Sequence, residues 1–331
     1  MEVNNGIVSL KSIVPNWQKA IKNNTVIPND LCGSYYTGYW LNDIEGENYF
    51  LKISKKTGIS KEIFIQIIGE ELARMVGIET VHSKIVDVGS NTYGLMSSNY
   101  IKYDDNILSG KEIVIDYLQH LYSNNLLHLW LDTPLTMEEK EDFHDGYLEG
   151  MMEAFNRRHV NCNSLNFIWD ALSFQFRNKG NGQIITERIV KDLTKRYLFS
   201  FMIMNKDFHL KNWEIIDIYG NYTLSPLYDI DLSFDRNFTN LDKNNSMKSY
   251  ENNIENIYED FEQYFSSSSD DFKKEFYRQQ NILTPENIQE AMERIINIYQ
   301  NDNLKKYAEQ ILKVYIPHYE QMCSLAKDRE L

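Results

Sequence analysis

Three polar residues have the types and the spacing that phosphoryl transfer requires. Asp207 and Asn212 are five positions apart, and Asp229 follows at the end of the segment Ser225–Asp229. In a loop of the pattern Asp-x-x-x-x-Asn, the aspartate accepts the proton of the attacking hydroxyl and the asparagine binds a metal ion. A second aspartate completes the metal site. The spacing therefore predicts transfer from Mg-ATP, with Asp207 as base and with Asn212 and Asp229 as Mg²⁺ ligands.

The segment between Asn212 and Asp229 must bring these two residues together. Its alternating strand-like residues around a Tyr-Gly-Asn turn predict a β-hairpin, which would return Asp229 to the side of Asn212. Asp and Asn also cap helices and occupy turns, so each residue alone favours that ordinary role. Their joint spacing, after an apolar helix predicted at 184–204, favours a catalytic site.

Lys52 lies in the middle of a predicted strand at 49–53, where its neighbours require burial on at least one face. A strand lysine of this kind can bind the α- and β-phosphates of ATP. The alternative is a lysine with a buried stem and a solvated ammonium. The segment Gly33–Gly38 offers Ser34 and Thr37 as hydroxyl donors to phosphates. It lacks the Lys-Ser/Thr of a Walker loop, and a hairpin with packed aromatic residues is an equal alternative.

Composition excludes several classes of protein. The 331 residues carry a formal charge of −14, which opposes direct binding to nucleic acid. The three cysteines lie far apart and favour a reducing compartment over disulfides or zinc. The sequence shows no signal peptide and no apolar run of the roughly 20 residues that a membrane span needs. We expect a cytoplasmic protein.

The order of predicted elements indicates an α+β fold of two lobes, like that of a protein kinase. A small β-rich N-lobe at 1–101 would cover the nucleotide, and a larger helical C-lobe at 102–331 would carry the catalytic loop and the metal site. The predicted strands are 35–41, 49–53, 82–88 and 92–97, and the predicted helices are 8–23, 60–76, 137–157, 184–204 and one that opens at Thr284-Pro285-Glu286. Gly77 is expected to end the helix at 60–76.

The segments 205–212 and 225–229 resemble the HipA-type serine/threonine kinases. Their catalytic segment has the pattern Asn-x-Asp-x-His-x-Lys-Asn and is followed by Ser-Pro-x-Tyr-Asp, and this sequence matches both in order. Weaker similarity at 49–52, 71–78 and 94–100 extends the resemblance over most of 33–235. Because few residues precede Gly33, we expect a short, single-module member.

The resemblance implies roles for individual residues and for partners. Asp207 would be the base, Asn212 and Asp229 would hold Mg²⁺, and Lys211 would lie near the transferred phosphate. His209, two residues after Asp207, is also a candidate, although a histidine there more often makes structural hydrogen bonds. Family members phosphorylate protein substrates and often act as toxins held by a small DNA-binding antitoxin. Some autophosphorylate in the glycine-containing loop, which would make Ser34 the acceptor.

The sequence departs from the family at two functional positions. The loop Gly33–Gly38 does not reproduce the family's usual pattern. The helix position of the glutamate that pairs with the strand lysine falls on Gln66, with Glu70 one turn later on the same face. Which of these two meets Lys52, if either does, stays open. The alternatives to an active protein kinase are a catalytically weak pseudokinase scaffold and a small-molecule phosphotransferase.

Overall fold

Two β-sheets and a set of α-helices make up the protein. The computed structural model describes residues 3–4, 7–15, 17, 28–29, 36–42, 47–101, 106–205, 209–210, 212–234, 265 and 268–327. The strands are β1 Val3–Asn4, β2 Ile7–Ser9, β3 Pro28–Asn29, β4 Tyr36–Asn42, β5 Asn48–Thr57, β6 Ser83–Gly89, β7 Thr92–Ser98, β8 Asn106–Ser109, β9 Glu214–Ile218 and β10 Asn221–Leu224. The helices are α1 Leu10–Ile13, α2 Lys61–Met75, α3 Gly110–Ser123, α4 Met137–Asp145, α5 Leu148–Asn156, α6 Leu165–Phe176, α7 Gly182–Met202, α8 Asp270–Ile282, α9 Pro285–Tyr299 and α10 Asp302–Lys327.

The larger sheet comes from the N-terminal part of the chain. Its strand order is β1-β2-β6-β7-β5-β4-β3, and neighbours are antiparallel except for the parallel pair β2 and β6. Strand β5 places Lys52 between Gly38 of β4 and Leu95 of β7. Side chains alternate between the two faces of a strand, so the fully buried Leu51 and its neighbour Lys52 point to opposite faces. The sheet therefore holds Lys52 on one defined face.

Helix α2 follows β5 and has clear sequence signals at both ends. The Ser60 hydroxyl accepts a hydrogen bond from Ile63 N (3.4 Å) and caps the first turn. Gly77, as predicted, ends the helix with a positive φ of 73°, and Ile78 N–H then donates to Ala73 O (2.9 Å). The helix is buried along most of its length because the C-terminal helices α9 and α10 pack against it.

A second, three-stranded sheet has the order β10-β9-β8. Strands β9 and β10 form the predicted hairpin, with Tyr219 and Gly220 at positive φ in the turn. Strand β8 leads into α3 at Gly110, whose N–H donates to Trp213 O (3.1 Å). A Cβ at this position would lie 2.4 Å from the Trp213 ring, so the close approach requires glycine. This contact anchors the segment that carries Asn212.

Two predicted helices differ from the structure. A helix was predicted over 8–23, but residues 7–9 form strand β2, α1 covers Leu10–Ile13, and residues 14–15 are not helical; residues 16 and 18–23 lie outside the described residues. Pairing of β2 with β6 outweighs the local helical pattern. The helix predicted over 137–157 is two helices, because Gly146 ends α4 at a φ of 69°.

The α+β class, with the sheet first and helices after it, is confirmed. Within the described ranges, no helix has the length and apolar character that crossing a membrane requires.

Glu139 is a buried carboxylate that anchors the start of α4 through an ion cluster with Arg157 and Arg158. Its carboxylate accepts hydrogen bonds from both terminal nitrogens of Arg158 (2.9 Å each) and from Thr136 N (2.7 Å), and Arg157 lies 3.2 Å away. The Glu139 side chain is 2% exposed. The Arg158 hydrogen bonds lower the pKa of Glu139 from its ordinary 4.5 to about 2. The cluster joins α4 to the end of α5.

We expect Glu139→Gln to lower the free energy of unfolding at neutral pH by about 2–3 kcal/mol, since it leaves the largely covered guanidinium of Arg158 without its counter-charge. The pKa of Glu139 is lower in the folded than in the unfolded state. The ion-pair contribution is therefore complete above about pH 4.5 and is lost as the pH falls towards 2. Denaturant unfolding near pH 7 and near pH 3 should show a difference that shrinks in acid. Glu138→Gln, exposed on the same helix, is the control, and an equal effect of both variants would contradict the prediction.

Candidate active site

The segment Ser225–Phe234, which we name the 225–234 loop, leaves strand β10 and carries Asp229. Its first residue is fixed to strand β9, because Ser225 N–H donates to Glu214 O (2.8 Å) and the Ser225 hydroxyl accepts from Glu214 N (3.3 Å). The buried guanidinium of Arg196 on α7 donates to Ser225 O. These bonds continue the hairpin ladder beyond Leu224, so Asn212 and the 225–234 loop lie at the same end of the hairpin.

The next residues of the loop attach to the connection between α2 and the larger sheet. Leu227 N–H donates to Glu79 O (2.7 Å) and Val81 N–H donates to Leu227 O (3.2 Å), as in a short parallel β-bridge. The loop is therefore bonded to the hairpin on one side and to the β-rich region on the other. Leu227 is 1% exposed, so this junction excludes water.

Asp229 itself has an unusual backbone conformation and a defined ionic partner. Its φ is 59°, in the left-handed region that non-glycine residues seldom occupy and that recurs at functional sites. Its carboxylate forms an ion pair with the ammonium of Lys52, and the two side chains are 28% and 17% exposed. Residues 177 positions apart in the sequence thus meet in one partly covered site.

Helix α2 faces this site with Gln66 and Glu70, and the structure separates their roles. The Gln66 side-chain oxygen accepts from Ile230 N (2.9 Å), the peptide group directly after Asp229. Its amide nitrogen donates to Glu70 Oε1 (2.9 Å), and Glu70 Oε2 accepts from Ser83 N (2.7 Å). The two helix residues are bonded to the loop and the sheet, and among the described residues the carboxylate that pairs with Lys52 is that of Asp229.

The predicted catalytic segment is described in part. Asn205 is 5% exposed and its N–H donates to Ser200 O (2.8 Å), just beyond the end of α7. His209 is half-buried, and its carbonyl accepts from Asn212 N (3.0 Å). Asn212 is 6% exposed. Asp207 and Lys211 lie outside the described residues, so their predicted roles remain predictions.

The donor set at Asn212 and Asp229 has the chemistry that Mg²⁺ prefers. In the described part of the chain, no three His, Cys, Asp or Glu side chains group closely enough to bind a metal by themselves. Magnesium in nucleotide enzymes is bound by one or two protein oxygens together with phosphate and water. An amide oxygen from Asn212 and a carboxylate from Asp229 fit that pattern.

The phosphate-loop candidates fall only in part within the described residues. Gly33 and Ser34 lie outside the described residues. Thr37 is half-buried on β4 opposite Ile53 of β5, and Gly38 is buried opposite Lys52. Thr37 is therefore one residue from the backbone that flanks the lysine, and its predicted contact with phosphate stays a prediction.

A cluster of tyrosines beside the site was missed by the sequence analysis. The Tyr100 hydroxyl, just after β7, donates to Glu214 Oε2 (2.6 Å), and its ring stacks on Tyr228 with centroids 6.0 Å apart. Burial raises the pKa of both tyrosines above the ordinary range, so both hydroxyls stay protonated. Tyr228 comes directly before Asp229 in the Ser-Pro-x-Tyr-Asp motif. Its place in that motif is the sequence signal that could have identified it. The cluster joins the larger sheet to the 225–234 loop.

Comparison with known proteins identifies the fold. Residues 170–303 match the family model of the HipA-like C-terminal domain. The proinflammatory kinase CtkA of Helicobacter pylori is similar in structure, with a TM-score of 0.51 and 11% identity, over 89% of this chain and 95% of CtkA. HipA of Shewanella oneidensis MR-1, solved with HipB and operator DNA, is similar with a TM-score of 0.55 and 12% identity, over 96% of this chain and 72% of HipA. No curated protein sequence matches the chain. The predicted resemblance to the HipA-type kinases and the kinase-like fold are confirmed.

The Tyr100–Glu214 bond should contribute measurably to stability. We expect Tyr100→Phe to lower the free energy of unfolding by about 1.5–3 kcal/mol, the usual range for a hydrogen bond to a charged group. Tyr219→Phe is the matched control, because Tyr219 is 92% exposed at the hairpin turn and should change stability by less than about 0.5 kcal/mol. Denaturant unfolding measures both variants, and a Tyr100→Phe effect no larger than the control would refute the role of this bond.

Proposed function

We propose that the protein is a Mg-ATP-dependent serine/threonine protein kinase of the HipA type. The observation that carries the proposal is the contact between Lys52 on β5 and Asp229 on the 225–234 loop. A strand lysine for the phosphates and a loop aspartate for the metal are the paired charges of kinase chemistry. They meet here in a fold shared with HipA and CtkA.

Each residue of the site receives a role under this proposal. Lys52 would bind the α- and β-phosphates, and Asn212 and Asp229 would hold Mg²⁺, which when bound neutralises charge on the phosphates. Asp207 would accept the proton of the substrate hydroxyl. The remaining predicted contributors are Lys211 near the transferred phosphate, His209 beside the base, and Ser34 and Thr37 as hydroxyl donors to the nucleotide.

The lobes and the partners follow the same proposal. Residues 1–101 would form the N-lobe over the nucleotide and residues 102–331 the C-lobe with the catalytic loop. The formal charge of −14 favours a protein substrate over direct contact with nucleic acid. Because the similar HipA was solved with HipB and operator DNA, a small antitoxin-like protein is the regulatory partner that we propose. The chain would act in the cytoplasm as a toxin or an effector kinase.

A catalytically weak scaffold is the second candidate, and one observation favours it. Kinases commonly pair the strand lysine with a glutamate on the adjacent helix. Here that helix carries Gln66, which binds Ile230 N, and Glu70, which binds Ser83 N. Such a protein would bind nucleotide tightly and transfer no phosphate.

Mg-ATP transfer assays distinguish the two candidates. We expect the wild type to form phosphoserine or phosphothreonine on itself or on a partner, and we expect Asp207→Asn, Asp229→Asn and Lys52→Met each to reduce the rate by about a hundredfold or more. Phosphate incorporation from labelled ATP measures the rate, and mass spectrometry maps the acceptor, including Ser34.

Asp145→Asn is the control for these variants, because its side chain is 76% exposed on α4 and it should retain wild-type activity. Equal transfer by the wild type and Asp207→Asn would overturn the kinase assignment. Tight nucleotide binding by a wild type that phosphorylates no residue would select the scaffold.

A further inference from the structure

Helix α2 is bonded directly to the peptide group that follows Asp229. From this contact we propose that Gln66 is a positioning residue for the metal-binding aspartate, in place of a partner for the strand lysine. The inference rests on the proposed function, because it assigns Gln66 to the metal side of that same site. This role predicts that a substitution at Gln66 changes the Mg²⁺ requirement, which the usual lysine–glutamate arrangement does not predict.

A continuous chain of hydrogen bonds connects the larger sheet to the loop. Ser83 N–H donates to Glu70 Oε2 (2.7 Å), Gln66 Nε2 donates to Glu70 Oε1 (2.9 Å), and Ile230 N–H donates to Gln66 Oε1 (2.9 Å). Gln66 is 4% exposed and Glu70 is 1% exposed. Both residues are therefore shielded from water, where each lost bond leaves an unsatisfied polar group. The chain fixes the Ile230 peptide and with it the backbone of Asp229.

The side chain of Ile230 also packs against helix α2. Gly69, three positions after Gln66 on α2, lies against the Ile230 side chain, and a Cβ on Gly69 would come within 2.8 Å of Ile230 Cδ1. Ile230 is fully buried in this notch. Because its N–H is bonded and its side chain is enclosed, Ile230 cannot move without moving α2. The left-handed backbone of Asp229 is maintained by this neighbour.

Helix α2 is held in place by other helices, so it can in turn hold the 225–234 loop in position. Helix α2 shares one hydrophobic core with α9 and α10, in which Phe64, Ile288 and Ile311 are fully buried, and the Tyr307 hydroxyl of α10 donates to Ile59 O (3.2 Å) just before the helix. Two helices from the C-terminal part thus hold α2 at its side and at its start. A residue on such a helix can orient a metal ligand through a hydrogen bond to the backbone beside it.

The proposed role has a specific consequence for metal binding. Groups that orient metal ligands change metal affinity by about 10- to 100-fold when they are removed. We therefore expect Gln66→Leu to raise the Mg²⁺ concentration needed for half-maximal activity by about tenfold or more, with little effect on nucleotide binding measured without metal. A residue with only a structural role would lower stability and leave the Mg²⁺ requirement unchanged.

Hydrogen–deuterium exchange tests the contact independently of activity. In Gln66→Leu, the amide of Ile230 loses its acceptor, and exchange in a peptide spanning 228–234 should become about tenfold faster. Gln289→Leu is the matched control, because Gln289 makes the same bond to Glu293 (2.8 Å) on the exposed face of α9, away from the loop. Unchanged exchange at 228–234 in Gln66→Leu would overturn the inference.

Exchanging the side chains at positions 66 and 70 tests whether restored hydrogen bonds also restore the Mg²⁺ requirement of the wild type. Gln66→Glu alone brings a second acidic group against buried Glu70, so we expect it also to raise the Mg²⁺ requirement. The double variant Gln66→Glu/Glu70→Gln restores all three hydrogen bonds with the same net charge, and it should return the Mg²⁺ midpoint towards the wild-type value. If position 66 were instead the helix position that pairs with Lys52, a glutamate there would form the missing ion pair, and Gln66→Glu alone would raise activity.

The outcomes separate the inference from the proposed function. A wild type that transfers phosphate, with an unchanged Mg²⁺ midpoint in Gln66→Leu, overturns the inference and leaves the kinase assignment intact. A wild type that shows no Mg²⁺-dependent thermal stabilisation by ATP overturns the proposed function and the metal role of Gln66 together. Faster exchange combined with a raised midpoint and rescue by the double variant supports the inference.

Discussion

The position of Asp229 depends on backbone hydrogen bonds made by its neighbours in the 225–234 loop. Ser225 is bonded to β9, Leu227 to residues 79–81 and Ile230 to Gln66. These three attachments belong to different parts of the fold, so Asp229 keeps its place only when the hairpin, the larger sheet and helix α2 are all in place. The ion pair with Lys52 is a result of this framework, since a partly exposed pair contributes little stability by itself.

Local patterns in the sequence predicted much of this framework. The turn at Tyr219-Gly220 and the alternating residues around it predicted the hairpin, and Gly77 predicted the end of α2. These features depend on residues within a few positions of one another, and backbone sterics decide them. The start of the helix predicted over 8–23 was wrong for the opposite reason. Strand β2 is determined by its pairing with β6, more than seventy residues away, which no local pattern contains.

The sequence predicted candidate residues for the site but not the bonds between them. Spacing predicted Asn212 and Asp229, and a mid-strand position predicted Lys52, yet the sequence left open which of Gln66 and Glu70, if either, meets the lysine. These two residues lie on one helix face, one turn apart, so a small rotation or shift of α2 would exchange their partners. In the structure Gln66 accepts from Ile230 N and Glu70 accepts from Ser83 N. The docking of α2 against α9 and α10 sets these partners, and it depends on contacts between residues more than two hundred positions apart.

That docking also changes what helix α2 can control. In protein kinases the position of the equivalent helix sets activity by making or breaking its bond to the strand lysine. In this protein α9 and α10 cover the helix, and the helix bonds to the loop of Asp229 through Gln66 and the notch at Gly69. Any displacement of α2 would therefore move the aspartate together with the sheet that carries Lys52. Helix α2 thus connects the loop that carries Asp229, through Gln66, to the sheet that carries Lys52, through Glu70 and Ser83.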